Sequence, residues 1–481
     1  MKNKIACLLL IAASILFSAC SPSSLKQKEQ EYLTVDAQRK LYHPDGSRSY
    51  TGYEPFETRT VENLLSYVAP TTPPTLSQYG GWTEHQVEAT GFFHVLKIND
   101  RWWGVDPEGY LYINIGLNSI SRGRSERNQE ALQRRFGSNE NWIDSTITLL
   151  RQFGFNCAGS WSDHPAIIEA NKRADEPFAY TINWNFMSAY GRERGGTYQK
   201  PGHTGYPNEA IFVFDPEFEQ FCDRHAGQLL TTKDDPNLFG HFSDNEMPFR
   251  LSALEDFLSL PEIEAGHHGA NDWLTSKGIS KEEVTDQHRE EFFAHVADRY
   301  FSIVSAAIRK YDPNHMYLGT RFYGSERNNQ RFMRTAGKYL DLISVNYYNY
   351  WTPDAGHMKN YTEWSGKPFL ITEYYTKGED SGMPNQSGAG WIVRTQRDRG
   401  LFYQNFNLAL LESGNCVGWH YFKYQDNDPT AKGVDPSNID ANKGIVNNEY
   451  DVWQDAVDKM TEFNLQVYDL IKHFDSKKTG R

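Results

Sequence analysis

Short apolar runs alternate with segments of helical hydrophobic period along most of this chain, from about residue 111 to residue 473. This alternation is typical of βα units that build a parallel sheet. Eight apolar runs can be placed, and the sequence therefore predicts an α/β fold of the (β/α)₈ TIM-barrel class. The predicted strands are 111–120, 155–161, 178–186, 238–246, 316–321, 340–348, 369–374 and 416–421.

Helical segments are expected between these strands, at about 142–153, 216–230, 287–310, 328–338, 393–413 and 452–473. Asp215 and Pro216 have the residue types of an N-cap and a first helical position, so they should begin the second of these helices. Residues 247–285 are predicted to form a long insertion, with His267 and His268 in a solvated loop.

A β-hairpin is predicted just before the first barrel strand. Residues 93–98 and 101–106 flank the turn pair Asn99-Asp100, and residues 107–109 form a further turn. We expect this hairpin to close the bottom of the barrel. Residues 92–475 would then be the catalytic domain, and residues 20–91, which are polar and lack a sustained period, a tether and an N-terminal extension.

The first residues have the composition of a targeting segment. Lys2 and Lys4 precede an apolar run at 5–17 that is too short to span a bilayer, and Ser18, Ala19 and Cys20 follow. This pattern resembles a bacterial lipoprotein signal, in which residues 1–19 are removed and Cys20 is lipidated; an ordinary secretory signal cut near Ala19 is the alternative. The lipoprotein interpretation predicts a protein of the bacterial cell envelope, at the outer membrane or cell surface, whose only membrane contact is the lipid.

Charge and cysteine content narrow the function classes. The net charge of -13 argues against nucleic acid or an anionic membrane as a partner, since both require a basic surface. An aromatic content of 14% suits either a large core or rings that stack on sugars. Cys157, Cys222 and Cys416 have no C-x-x-C spacing and are predicted to be buried thiols.

Two predicted strands end in a glutamate. Strand 238–246 ends in Asn245 and Glu246, and strand 369–374 ends next to Glu373. The carboxyl ends of barrel strands form the open mouth, so these two side chains should meet there. Hydrolysis of a glycosidic bond requires a proton donor and a second carboxylate, which lie roughly 5 Å apart in a retaining enzyme. The sequence therefore predicts a glycosidase, with Asn245 and Tyr348 as hydrogen-bond donors in its site.

The order of these residues along the chain resembles that of clan A glycoside hydrolases: Asn245-Glu246, Asn346-x-Tyr348, Glu373 and Trp419. Residues 99–109, 114–119 and 242–246 more closely resemble the β-agarases of glycoside hydrolase family 50. The resemblance covers about residues 92–475. It implies a retaining enzyme that cleaves β-galactosidic linkages of agar-type galactan, with Glu246 as acid/base and Glu373 as nucleophile.

Further side chains at or near strand ends are candidates for contact with sugar hydroxyls or sugar faces, with ordinary packing as the alternative for each. The hydroxyl-binding candidates are Asn118, Asp163, His164, Arg321 and His420, with Tyr348 and Trp419 beside them. Three tryptophans are candidate stacking platforms: Trp161, Trp184 and Trp351. Arg122, Arg124 and Arg127 could meet an anionic galactan, but a solvated loop is the simpler interpretation.

Metal and cofactor motifs are not recognised. His267-His268 and Asp426-Asn427-Asp428 lack the ligand spacing of known metal sites, and phosphate-binding, nucleophile-elbow and dinucleotide motifs do not occur. Two alternatives to an agarase stay open. The chain could hydrolyse another β-galactan or a β-glucan, or it could be a non-catalytic surface lipoprotein that binds glycans.

Overall fold

Eight parallel strands form the predicted barrel in a computed structural model that describes residues 31–43 and 48–479. We number the barrel strands one to eight in chain order: Asn114–Leu117, Cys157–Ala158, Ala179–Asn183, Leu238–Phe242, Met316–Gly319, Ile343–Asn346, Phe369–Glu373 and Cys416–Tyr421. Neighbouring strands pair in ring order, and strand eight pairs with strand one. The ring closes between strands five and six through a parallel bridge from Phe322 to Val345.

Most barrel strands are shorter than the apolar runs that predicted them. After each of strands one to six, one residue that is not glycine takes a positive φ: Ser119, Trp161, Asn185, Glu246, Arg321 and Asn349. This left-handed conformation is rare for bulky residues and is concentrated at functional sites. It turns the chain out of the sheet, and four of these residues, Ser119, Trp161, Asn185 and Glu246, line the cleft at the mouth of the barrel.

The predicted hairpin is confirmed, as strands His94–Ile98 and Arg101–Val105. Phe93, immediately before it, is 1% exposed and packs against the rings of Tyr112 and Phe239 at centroid distances of 5.1 and 5.4 Å. Phe239 is the second residue of barrel strand four, so Phe93 covers the amino end of the barrel interior. The mouth therefore lies at the opposite, carboxyl end, as the sequence predicts.

Helices connect the barrel strands and form the outer layer. They are Glu126–Phe136, Asn139–Gln152, His164–Asn171, Phe186–Arg194, Phe218–Ala226, Ala253–Leu258, Ala265–Lys277, Asp286–Tyr311, Gln330–Gly337, Ala355–Ser365, Gln396–Ser413, Gln454–Asn464 and Val467–Thr479. Short 3₁₀ turns lie at Pro207–Glu209, Gly227–Thr231, Lys281–Glu283, Ser325–Asn328 and Glu379–Ser381.

Three sequence-based predictions about helices are wrong. Asp215 does not cap a helix: the helix begins at Phe218, and the Asp215 carboxylate instead pairs with Arg194. The insertion is not a loop around His267 and His268, because both residues lie within helix Ala265–Lys277, whose Trp273 packs against Phe292. The single closing helix is two helices. The sequence also does not predict the helices at 126–136, 164–171, 186–194 and 355–365.

The N-terminal extension joins the barrel through a four-stranded sheet. Strand Leu33–Gln38 pairs with Glu54–Thr58 on one side and with Trp391–Val393 on the other. Trp391–Val393 lies parallel to Thr376–Gly378, which follows barrel strand seven. The extension is thereby fixed beside the chain that leaves Glu373. The remaining strands are Lys40–Tyr42, Arg48–Tyr50, Trp82–Gln86, Tyr110–Tyr112, Tyr198–Lys200 and His203–Gly205.

Cys157, Cys222 and Cys416 are free and buried, as predicted. Cys20 and the predicted signal at 1–19 lie outside the described residues. Within the described ranges, no helix combines the length and apolar character needed to cross a membrane.

Candidate active site

Glu246 and Glu373 line one cleft at the carboxyl ends of the barrel strands, with a volume of about 730 Å³. Glu373 is the last residue of strand seven, whereas Glu246 lies beyond strand four, where its backbone N–H bonds to the Thr320 carbonyl at 3.0 Å. Both side chains are at most 10% exposed. Strands four and seven thus bring two nearly buried carboxylates, 127 positions apart in the sequence (373 minus 246), to a single site.

Glu373 is held by two donors. Arg321 donates from Nη2 to Oε1 at 2.7 Å, and Tyr348 donates its hydroxyl hydrogen to Oε2 at 2.8 Å. Burial raises the pKa of Glu373, Arg321 opposes that rise, and the nearby charge of Glu246 adds to it. The arginine is always cationic, so it favours the ionised carboxylate that a nucleophile needs.

Glu246 has a different environment. Its Oε1 accepts a hydrogen bond of 2.7 Å from the Asn346 amide, and its Oε2 lies 3.6 Å from Nδ1 of His203. In the described part of the chain, neither lysine nor arginine lies within ion-pair distance of it. The two glutamates therefore differ in their partners, an amide and an imidazole for Glu246 and a guanidinium and a phenol for Glu373.

Arg321 and Asn346 connect the two glutamates. Arg321 also donates to Asn245 Oδ1 at 2.9 Å and to the Thr372 carbonyl at 3.0 Å. Asn346 accepts from the Thr372 hydroxyl at 2.7 Å and donates to Glu246. A change at any member of this network would therefore disturb both carboxylates.

Several predicted site residues lie in the cleft or support it. Asn245 and Tyr348 line the cleft, and Asn245 also donates to the Gly202 carbonyl at 3.0 Å. Arg321 is fully buried directly beneath it, with its guanidinium 5.6 Å from the ring of Trp161. Trp161 is 42% exposed and lines the cleft, so of the three candidate platforms it is the one that presents an open ring face.

Asn118 and His420 lie inside the barrel, below the cleft. Asn118 donates to the Thr372 carbonyl at 2.8 Å and supports the strand that ends in Glu373. His420 bonds to Asn114 at 2.8 Å, and burial, together with the charge of Arg321, lowers its pKa to about 3. Both side chains are fully buried and can position the site only through other residues.

The structure does not place the other candidates at the glutamates. Trp419 is fully buried in the helical layer, where its indole N–H donates to the Tyr403 hydroxyl. Trp184 bonds to His241, and Trp351 packs against Trp391 and Phe402. The predictions that Trp419 contacts substrate and that Trp184 and Trp351 are platforms therefore do not fit their positions.

Asp163 and His164 begin helix His164–Asn171, where Asp163 caps the helix by accepting from the Ala166 N–H. Asp163 also lines a second cavity of about 720 Å³, which shares Trp161, Arg122 and Arg124 with the main cleft. The groove therefore continues past Trp161, away from the glutamates. Asp163 lies in that continuation and not beside the reacting groups.

The three arginines of the predicted cluster have different surroundings. Arg122 and Arg124 line both cavities, and Arg122 approaches Asp163 at 3.4 Å. Arg127 instead approaches Asp428 at 3.4 Å. Asp428 also accepts from the hydroxyls of Ser125 and Thr430, so its oxygens already have protein partners.

A buried group with metal-ligand chemistry lies at the amino side of the barrel, formed by His241, Asp312 and His315. Asp312 Oδ2 lies 2.8 Å from a nitrogen of each histidine. The other nitrogen of His241 accepts from Trp184, and that of His315 faces the Asp235 carbonyl. Every ring nitrogen thus has a protein partner, and we interpret the group as a hydrogen-bonded cluster that ties strands four and five together.

Among the residues of the cleft wall that sequence reasoning missed are His203, Tyr375 and Lys443. His203 lies on the small hairpin Tyr198–Lys200 and His203–Gly205, and Lys443 in the long loop after strand eight. Tyr375 directly follows Tyr374 after Glu373, so its position next to a predicted strand end was a usable signal. His203 and Lys443 come from loops whose sequence has no comparable mark.

A (β/α)₈ barrel that brings glutamates from strands four and seven into one cleft is the architecture typical of glycoside hydrolases. The structure named BpGH50 superimposes with a TM-score of 0.80 and is 30% identical, over 92% of this chain and 96% of that one. The chain belongs to glycoside hydrolase family 50.

Other similarities agree with this assignment. Beta-agarase B and Beta-agarase A of Vibrio sp. (strain JT0107) are each 25% identical to this chain, over 90% and 74% of its length. The chain spans 54% and 40% of those two relatives, respectively. The structure of an exo-beta-agarase, 21% identical with a TM-score of 0.68 over 84% of this chain, shares the fold. No protein-family model matches the chain.

Proposed function

We propose that this chain is a retaining β-glycoside hydrolase that cleaves the β-galactosidic linkages of agar-type galactan. One observation carries the proposal: Glu246 and Glu373 lie in one cleft but have different partners, a neutral amide for Glu246 and a cationic guanidinium for Glu373. The agar-type substrate is supported by the two relatives named as β-agarases.

In this mechanism Glu373 attacks the anomeric carbon and forms a glycosyl-enzyme ester, while Glu246 gives its proton to the departing oxygen. Water then takes the place of the leaving group, and Glu246 accepts a proton from that water as it attacks the ester. Arg321 and Tyr348 keep Glu373 oriented and ionised before attack. Trp161 offers a ring on which a sugar face can stack.

The test is hydrolysis of agarose oligosaccharides, porphyran, a plant β-galactan and a β-glucan, with the anomer of the first product identified by NMR. We expect cleavage of the agar-type substrates, with the β-anomer formed first. Glu246→Gln and Glu373→Gln should each abolish cleavage without abolishing binding. A first product of inverted configuration would refute the retaining mechanism.

The same substrate panel separates the alternatives. Cleavage confined to the β-glucan or the plant galactan would keep the mechanism and reject the agar-type substrate. Binding of galactan by wild type with no cleavage of any substrate would instead support a non-catalytic glycan-binding protein.

We also propose that the protein is anchored in the bacterial cell envelope by a lipid on Cys20. Support comes from the basic residues Lys2 and Lys4, the short apolar run at 5–17 and the small residues before Cys20. Metabolic labelling with a radiolabelled fatty acid would test it. We expect label on the wild type and none on Cys20→Ser, and an unlabelled wild type would reject the anchor.

A further inference from the structure

Four consecutive backbone carbonyls next to the cleft are bound by two buried lysines. Lys40 donates to the carbonyls of Gln386 at 2.6 Å and Gly388 at 2.9 Å. Lys377 donates to the carbonyls of Asn385 at 2.9 Å and Ser387 at 3.3 Å. Both lysines are at most 4% exposed. We call residues 385–389 with these two amines the clamped segment.

The clamped segment joins distant parts of the chain. Lys40 belongs to the N-terminal extension, and Lys377 follows Glu373 by four positions. Tyr50, also from the extension, donates to the Asn385 carbonyl and accepts from Lys377. Because each carbonyl has a fixed donor, residues 388 and 389 are held in one conformation, and both of them line the cleft.

Lys443 lies against this segment. A Cβ atom at Gly388 would come within 2.6 Å of its Nζ, so the close approach depends on a glycine there. The amine is also 4.8 Å from the ring centre of Tyr375 and 5.4 Å from that of Phe422. Lys443 is 1% exposed, yet it is among the residues that line the cleft.

Hydrogen bonds and a ring contact connect this part of the cleft wall to Glu373. The Tyr375 hydroxyl accepts from the Ala389 N–H at 2.8 Å, and its ring contacts Tyr348 at 5.5 Å. Tyr348 in turn donates to Glu373. Lys443 and Glu373 are close enough for the carboxylate to oppose the lowering of the Lys443 pKa that burial and the amines of Lys423 and Lys377 cause.

As an ammonium, the form that the nearby Glu373 carboxylate favours, Lys443 has unused hydrogen-bonding capacity. A lysine ammonium has three N–H donors. Within the described residues it has two acceptors, the Ser437 carbonyl at 2.6 Å and the Asn438 side-chain oxygen at 3.0 Å. A buried donor without a partner is costly, so a group that enters the cleft would be expected to accept the third hydrogen bond.

We propose that Lys443 is a further substrate-binding residue, which donates a hydrogen bond to a hydroxyl of the sugar held at Glu373 and is kept in place by the clamped segment. This inference rests on the proposed glycosidase function but not on the identity of the polysaccharide. It also assigns the N-terminal extension a role, because Lys40 positions the wall against which Lys443 lies.

Calorimetry in a Glu246→Gln background would measure this contact without turnover. Agarose oligosaccharides, a plant β-galactan oligosaccharide and a β-glucan oligosaccharide serve as ligands. We expect Lys443→Met to weaken binding of each sugar that the background binds by about tenfold to a hundredfold, which is the usual effect of losing a charged hydrogen bond. Lys432→Met is the matched control, since Lys432 is exposed in the same loop.

The positioning role of Lys40 has a separate readout. In the otherwise unaltered enzyme, Lys40→Met should raise KM while leaving kcat within about twofold, because it displaces the wall and not the reacting carboxylates. Thermal unfolding checks that each variant is folded.

If Lys443→Met does not fold, Lys443→Gln, which keeps a shorter donor, replaces it and is expected to weaken binding less.

The outcomes are distinct. Equal affinity of the Lys443 variant and its background for every bound sugar would overturn the inference, as would equal losses in Lys443→Met and Lys432→Met. Weakened binding confined to a β-glucan would support Lys443 and reject the agar-type substrate. If the Glu246→Gln background binds no sugar in the panel, both the inference and the proposed function fail.

Discussion

Arg321 and Glu373 form an ion pair of 2.7 Å in which the arginine is fully buried. Arg321 lies just after strand five, and Glu373 ends strand seven, so the pair joins strands that are not neighbours in the barrel. A buried carboxylate without a cation would tend to take up a proton. The ion pair therefore opposes the rise in the pKa of Glu373 that its burial causes.

Removal of Arg321 is expected to shift the pH profile of hydrolysis. Because Arg321 lowers the pKa of Glu373, Arg321→Met should raise that pKa further. The nucleophile must be ionised, so the acidic limb of the kcat/KM profile should move to higher pH. At neutral pH we expect a loss of about a hundredfold. Arg397→Met, on an exposed helix face, is the control, and an unshifted limb would contradict the assignment of Glu373 as nucleophile.

Tyr348→Phe should shift the acidic limb of the kcat/KM profile in the same direction as Arg321→Met. The Tyr348 hydroxyl lowers the pKa of Glu373 by one neutral hydrogen bond. Its loss should move the acidic limb upward by less than Arg321→Met does. Tyr347→Phe is a close control, because the neighbouring Tyr347 hydroxyl accepts from the Asp354 N–H and does not contact either glutamate. Identical profiles for both tyrosine variants would argue against this role.

His420 should make the free energy of unfolding decrease at acidic pH. Burial lowers its pKa to about 3, below the ordinary value of 6.5, so the folded state favours the neutral ring. Its contribution to the free energy of unfolding is complete above pH 6.5 and is lost as the pH falls toward 3, at up to about 1.4 kcal/mol per pH unit. Denaturant unfolding at several pH values measures this slope. His420→Gln should flatten it, and the exposed-loop variant His43→Gln should not.

Trp161 and Trp419 should respond in opposite ways. Trp161→Ala removes an exposed ring from the cleft, so KM should rise several-fold while the free energy of unfolding stays within about 0.5 kcal/mol. Trp419→Ala removes a fully buried ring and should cost about 3 to 5 kcal/mol of stability. Steady-state kinetics and denaturant unfolding of both variants test this contrast. An unchanged KM in folded Trp161→Ala would remove Trp161 from the substrate site.

Gly388→Ala should displace side chains of the cleft wall and raise KM, in addition to the loss of stability that backbone strain causes. Its φ is +79°, and a Cβ would meet the Tyr375 hydroxyl at 2.1 Å and Lys443 Nζ at 2.6 Å. Gly382→Ala is the matched control, because Gly382 has a φ of +71° and an empty Cβ position. Both should lose about 1 to 2 kcal/mol of stability from the left-handed backbone. Only Gly388→Ala should also raise KM, and equal KM values would contradict a role for this wall.

The architecture and the pair of glutamates in the cleft could be predicted from local sequence. Apolar runs and helical periods are properties of short segments. They are therefore sufficient to predict the barrel, the hairpin beneath it and the strands that lead to Glu246 and Glu373. The insertion at 247–285 was misjudged because its helices depend on tertiary burial. Trp273 is stabilised against Phe292 of another helix, and its own segment has little amphipathic pattern.

Two residues that are adjacent in the chain show why local sequence does not predict every side chain of the site. Trp419 and His420 follow each other in strand eight, and successive side chains of a strand point to opposite faces. Only the register in the closed barrel decides that His420 faces inward and Trp419 outward.

By itself, the sequence determined the fold class and the two acids, because both depend on patterns within single strands and helices. The tertiary structure alone decided which other side chains reach the cleft. His203 and Lys443 come from segments far apart in the chain, and their placement depends on contacts between segments. The bonds from Lys40 to the carbonyls of residues 386 and 388 are such contacts, and they hold the wall against which Lys443 lies.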